Sequence, residues 1–361
     1  MGGGGTLVPL GSSPLRPALF ALAAAALFGL SVPASKGLLE GDRLAPPVVA
    51  GLLYLASGLG LGAWRVARGQ PVFRLPPGSW RTLLLTTLAG GVVAPLCLME
   101  GLARAEGQAA SVLLSLEAVF TAVLAAALFR EHVGRAAWGA VLLAAAAAVV
   151  LAEPWAAPES RPDAVGLLLV AAATAGWALD NNLSRSLSDR DPVQVTTLKG
   201  LIAGPVCLGI GAALGKPLPS DSMVLGAAAA VGVLCYGVSL VFILRALAGL
   251  GAARAMAIFG AAPVFGAVGC WVFLPERPGA ALFGAGALLA AGVGLLARER
   301  HDHEHDHEVL EHEHPHGHGD GHHDHEHDGT EGPEPHTHRH RHGPLVHSHP
   351  HAPDLHHRHG H

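Results

Sequence analysis

Ten stretches of this chain are almost wholly apolar, and each is about as long as a bilayer is thick. They cover roughly 17–39, 46–64, 82–103, 107–129, 136–152, 164–184, 193–214, 224–246, 252–274 and 279–297. A helix rises about 1.5 Å per residue and the hydrocarbon layer is about 30 Å deep, so about 20 apolar residues make one span. Inside hydrocarbon, backbone polar groups must pair within the protein, which leaves helices or closed barrels. No stretch alternates with the period of a barrel strand, so each reads as a helix. The connections are short and carry Pro, Gly or charge, as in Glu40-Gly41-Asp42-Arg43 and Pro275-Glu276-Arg277-Pro278. The first stretch does not read as a signal peptide, because no A-x-A site followed by a soluble domain comes after it.

Charge separates the chain into two unlike parts. Of the 24 His, 23 lie between His301 and His361, with 13 acidic residues and three Arg. The first 300 residues hold the remaining 20 Lys+Arg and 15 Asp+Glu, so +5 on the body and −10 on the tail give the net −5. With half its residues hydrophobic and 14% charged, the chain cannot cover its body with polar surface as a soluble protein would. The tail has almost nothing to bury and is expected to be disordered. Cys97, Cys207, Cys235 and Cys270 all fall in apolar stretches without a C-x-x-C pair, and read as small buried hydrophobes.

The body repeats itself. LLSLEAVFTAVLAAALFREHVG (113–134) aligns without gaps on IFGAAPVFGAVGCWVFLPERPG (258–279) at an offset of 145. Val119-Phe120 falls on Val264-Phe265, Glu131 on Glu276 and Gly134 on Gly279. Nearer the start of each half, FGLSVPASK (28–36) meets WALDNNLSR (177–185) at an offset of 149, as do Asp42 and Asp191. Each half then holds five spans, and an odd number inserts the second half upside down. Inverted repeats around a midplane site are a common transporter design.

These features resemble the drug/metabolite transporter superfamily, specifically the EamA-type repeat, over about residues 17–298. The resemblance rests on ten spans, two five-span halves and the Val-Phe…Glu-x-x-Gly pattern that closes the fourth span and opens the fifth. The second copy has the repeat's usual Pro (Ala262-Pro263-Val264), whereas the first has Glu117-Ala118-Val119. The resemblance implies the fold and carrier activity without naming a substrate. The expected architecture is an all-α membrane protein of ten transmembrane helices in two inverted repeats, plus the tail. The expected segments are 1–16 (cytoplasmic), 17–152 (first repeat), 164–297 (second repeat) and 298–361 (tail).

A charge within a span costs about 2.5–3.5 kcal/mol on insertion scales, so it should face the bundle interior or water. Glu117 lies near the middle of the fourth span. It reads as a proton acceptor, a cation-binding carboxylate or a carboxyl bonded to a neighbouring helix. Glu100, after Pro95, aligns with Arg245 and is a candidate for a Glu–Arg pair or for a cavity. Asp180, Asn181 and Asn182 point about 100° apart, so at most two of them face one cavity, and Asp180 and Asn181 are favoured. Lys199, before Gly200, could bind an anion or neutralise Asp180. Lys36 and Arg185 lie near span ends, where long side chains snorkel. Glu131 and Glu276 end spans and are expected to cap helices or pair in loops.

The tail's alternating His and carboxylates suit Ni, Zn or Co. The candidate donors are His301, His303, His305, His307, His312, His314, His316, His318, His322, His323, His325 and His327. No cofactor is required by the rest of the chain. Thirteen basic residues flank the spans on the N-terminal side of the membrane and five on the other, which predicts cytoplasmic termini in the inner (plasma) membrane. The leading expectation is a secondary carrier of small organic metabolites or drugs by alternating access. The alternative is a transition-metal carrier with the tail as collector or sensor, although the spans contain no His. An enzyme or primary pump is not expected, because no nucleotide-binding loop, Ser/His/Asp set or H-E-x-x-H motif is present. The expected partners are the small-molecule substrate and membrane lipid, with no nucleic acid. The Gly-rich seventh and tenth spans would permit a homodimer.

Overall fold

The computed structural model describes residues 15–298, apart from 74, 130–134, 154–161, 188–189 and 251, and parts of the tail. In the first half, α1 (Leu15–Leu39) and α2 (Pro46–Ala67) are followed by α3 (Ser79–Thr86), α4 (Ala94–Arg104), α5 (Gly107–Leu113), α6 (Leu116–Phe129) and α7 (Arg135–Ala152). The second half runs α8 (Ala164–Ser184), α9 (Pro192–Ala213), α10 (Ser222–Val231), α11 (Ser239–Leu250), α12 (Ala252–Phe259), α13 (Ala262–Phe273) and α14 (Ala280–Arg298). Seven helical stretches are long and apolar enough to cross a membrane, and shorter apolar helices lie at Trp138–Ala152, Ala262–Phe273 and Ala280–Leu295. This is a multi-pass membrane protein.

Local chemistry sets the helix starts. Asp163, Asp191 and Asp221 each precede a helix and accept from its first amides. Pro46 and Pro192 open α2 and α9, where a missing N–H removes nothing the helix would use.

Several of the helices are not continuous α-helices, and the departures recur in both halves. Between α3 and α4 the chain makes a π-helical segment, Thr87–Val93, and between α10 and α11 another, Gly232–Val238. They lie 145 residues apart. The Gly90 carbonyl accepts from Tyr54 Oη and from Trp177 Nε1, both at 2.9 Å. Its counterpart Cys235 accepts from the hydroxyl of Ser239. The wider turn leaves backbone carbonyls for side chains to occupy. The ladder also breaks at Leu114–Ser115 between α5 and α6, and at Gly260–Ala261 between α12 and α13.

Counterpart positions of the two halves touch between α2 and α9. Gly204 of α9 packs on the backbone and Cβ of Leu55 in α2, at 2.6–2.8 Å from where a Cβ would stand. Those two positions are 149 residues apart, the offset seen nearer the start of each half. Any larger side chain at 204 would separate α2 from α9.

Two polar clusters tie the halves together. Glu276 accepts from the amides of Gly107 (2.7 Å) and Gln108 (2.9 Å), so it caps α5, a helix of the other half. Lys36 donates to the carbonyls of Leu102 (3.0 Å) and Ala105 (2.6 Å) and stands 3.9 Å from Glu276. It does not snorkel: its side chain is 16% exposed. At the opposite end of the bundle, the buried Arg65 guanidinium pairs with Asp191 and donates to the Pro71 carbonyl.

The body, residues 1–298, and the tail, 299–361, are separate compact units. Four short strands lie among the described tail residues. β1 (Glu304–His307) pairs antiparallel with β4 (Leu345–Ser348), and β2 (Glu311–His316) with β3 (His336–Arg341). A strict two-residue alternation is the period of a strand. The register sets His312 across from His340, His314 across from His338 and Glu311 across from Arg341. His305, His307, His312, His314 and His316 fall in these strands. His301, His303, His318, His322, His323, His325 and His327 lie outside the described residues, as do Glu131 and His132.

Candidate functional site

A cavity of about 380 Å³ opens between the halves, and both helix breaks form its wall. Leu114 and Ser115 reach it from the first break, and Gly260 and Pro263 from the second. Pro263 has no N–H to give, which keeps the second break from closing into continuous helix. Phe28 of α1 and Phe259 of α12 line it with ring centroids 5.6 Å apart. Most of the rest is apolar.

Glu117 lies in the first turn of α6, just past the break, and faces this space. A carboxylate is favoured at the positive end of a helix. Its Oε1 accepts from Asn181 Nδ2 at 2.7 Å, and Asn181 lines the cavity as well. Ser111, Ser115 and Thr121 also line it, and the Ser111 hydroxyl donates to the Gly107 carbonyl of its own helix. Thr121 Oγ1 is buried without a hydrogen-bond partner.

Three consecutive polar residues therefore serve three neighbours. Asn181 reaches Glu117. Asn182 donates to the carbonyls of Thr121 (3.0 Å) and Ala178 (2.9 Å), joining α8 to α6. Asp180 faces away from the cavity and accepts from Lys199 Nζ at 2.5 Å and from Ser184 Oγ at 2.9 Å. Gly90 is needed beside it, because a Cβ at that position would occupy the place of the Asp180 carboxylate.

Of the sequence candidates, Glu117 and Asn181 come together in the cavity, whereas Asp180 and Lys199 form an ion pair behind it. Of the two readings for Lys199, the geometry selects neutralisation of Asp180. Glu100 is half-buried on α4 and does not line the cavity. Its alignment mate Arg245 stacks over the Phe20 ring at 5.5 Å, so the two do not pair. Mates across a repeat touch only near the axis, and these two lie away from it. Among the described residues no three His, Cys, Asp or Glu side chains gather as metal donors. Phe28, Phe259 and the two breaks were not singled out from the sequence. Ser115 and Gly260 are 145 residues apart, the offset of the repeat, but neither sits in text that marks a helix break.

Two carboxyls outside the spans are perturbed. Burial works against ionised Asp191, but the hydrogen bond and charge of Arg65 and the amides of Gln194 and Val193 outweigh it and hold the carboxyl below its ordinary range. Glu106, just before α5, is pushed up by burial and then by the Glu276 charge, against a smaller opposing effect of Lys36.

The EamA-like transporter family matches the chain twice, over residues 15–152 and 164–298. An uncharacterized transporter of Methanothermobacter thermautotrophicus is 30% identical over 270 residues, which is 71% of this chain and 78% of that protein. A solved crystal structure shares the fold with a TM-score of 0.56 and 23% identity, over 79% of this chain and 99% of that one.

Proposed function

Because the chain belongs to the EamA-like transporter family, we propose that it is a secondary-active carrier of small organic metabolites or drugs, with the cavity at the two helix breaks as its substrate compartment. The observation that carries this reading is the meeting of one interrupted helix from each half at a single polar–apolar cavity. Interrupted spans at a repeat interface are where carriers bind their cargo, because they place backbone and side-chain polar groups at mid-depth. In this reading ten helices cross the inner (plasma) membrane with both termini cytoplasmic. The two halves rock about the α2–α9 axis and exchange conformations, so that the cavity opens alternately to each face.

Glu117 is the coupling carboxyl in this scheme. It can take a proton at one face and give it up at the other. Asn181 donates to its Oε1. Glu117→Gln keeps the size and the hydrogen bond and removes the proton. The test uses proteoliposomes, an imposed pH gradient and a panel of amines, amino acids, sugars and metal ions. The variant should insert normally, lose pH-driven accumulation and keep solute exchange. Wild-type accumulation with an unchanged pH profile would remove Glu117 from coupling. Flux of metal ions alone would replace the organic-solute reading with metal transport.

A further inference from the structure

We infer that the cavity selects an organic cation: an amine or quaternary ammonium on a compact apolar or aromatic body. The inference rests on the cavity being the transport compartment and adds the charge and shape of the cargo. Among the described residues, Glu117 is the one ionisable side chain on the cavity wall. The positive charge that could have suited an anion, Lys199, is committed to Asp180 at 2.5 Å behind the wall. The cation at the far end of α1, Lys36, is committed to two carbonyls and to Glu276. The described parts of α7 and α14, which also pack on α6, carry no ionisable side chain within Trp138–Ala152 or Ala280–Leu295. An anionic cargo would therefore meet a carboxylate and no free cation. A cationic cargo meets an acceptor whose second oxygen is free of the Asn181 amide.

The apolar surroundings give the same assignment. Phe28 and Phe259 present rings to the space that Glu117 faces. A ring face attracts a cation, and more so when water is excluded. The cavity volume of about 380 Å³ is at the small end of ligand pockets, which sets the cargo as one ring or a short chain rather than a large drug. Proton and cargo then compete for one carboxylate, so loading one releases the other.

The experiment uses purified full-length protein and four probes of matched size: benzyltrimethylammonium, benzylamine, benzyl alcohol and phenylacetate. Calorimetry in detergent at two buffer ionisation enthalpies should show both cations binding, with proton release, and the alcohol and phenylacetate failing to compete. Glu117→Gln should weaken benzyltrimethylammonium about 100-fold or more, because an unpaired charge is left in an apolar site. Asn181→Ala keeps the charge and removes the competing amide, so it should bind that probe at least as tightly as wild type. Phe259→Leu should weaken the cations about fivefold without altering proton release. Phenylacetate or benzyl alcohol binding in preference to the cations overturns the inference, as does failure of folded wild-type protein to bind either cation. Flux of the same probes into proteoliposomes separates this from the carrier reading. Movement of the anion or the alcohol leaves a carrier with different cargo. Cation binding at Glu117 without flux of any probe, under any gradient, leaves the cation site and removes the carrier.

Discussion

Arg65 and Asp191 show what one buried charge demands of its neighbours. The Arg65 side chain is 3% exposed and the Asp191 side chain is 41% exposed, so solvent screens the carboxylate but hardly reaches the guanidinium. Asn caps a helix about as well as Asp, so Asp191→Asn removes the charge and keeps the cap on α9. At neutral pH it should destabilise by up to about 2 kcal/mol, because Arg65 loses its counter-charge while keeping Pro71. The pH dependence has a definite sign. The folded carboxyl titrates below its unfolded counterpart, which ionises near about pH 4. Its stabilisation is therefore present above that value and is lost as pH falls through the folded pKa. Melting in detergent from pH 7 to pH 3 should bring wild type down toward the variant. A constant gap across that range would mean the charge plays no part. The alignment of Asp191 with Asp42 was legible in the sequence. Its pairing with Arg65, 126 positions away, was not, because hydropathy says where helices are and nothing about which ends meet.

The helices carry a second lesson. Window hydropathy located every apolar stretch to within a few residues, from α1 to α14, because the bilayer imposes a length. It passed over the breaks at Leu114–Ser115 and Gly260–Ala261 and both π-helical segments, since each lies within unbroken apolar text and changes only the hydrogen-bond ladder. These irregular turns build the cavity wall and hold the Gly90 carbonyl that Tyr54 and Trp177 occupy. Glu276 was read correctly as a cap, but the helix it caps lies in the other half. Its removal should therefore be felt at α5. Glu276→Ala should cost about 2 kcal/mol, from the lost cap and from the Lys36 ammonium left with carbonyls only. Hydrogen–deuterium exchange should rise at residues 107–110, and Glu276→Gln should show a smaller effect. Unchanged protection there would mean that the Glu276 cap contributes nothing to α5.

At the scale of the whole chain, composition separated a membrane body from a His-rich tail, and the contact pattern divides the chain at the same place. Within the tail, a two-residue alternation of His and charge is the period of a strand, and β2 and β3 pair in register. Removing residues 301–361 should leave melting of the body and organic-solute flux unchanged. It should remove most Ni or Zn bound by the purified protein, measured by equilibrium dialysis. Loss of flux for every solute would make the tail part of the transport cycle, and full metal retention would move the metal donors into the body.

The Asp180–Lys199 pair also constrains how the protein is made. Either residue alone would carry an uncompensated charge from the translocon into lipid, a cost that reaches about 2.5–3.5 kcal/mol at a helix centre. The two belong to adjacent helices, α8 and α9, joined by residues 185–191. Asp180 emerges from the ribosome before Lys199, its counter-charge on the next helix, has been made. The inexpensive route into the bilayer is therefore for α8 to wait at the protein-lined exit until α9 has been synthesised, and for the two to leave together as a neutral hairpin. A contact that looks like packing in the finished molecule thus sets the order of assembly during synthesis.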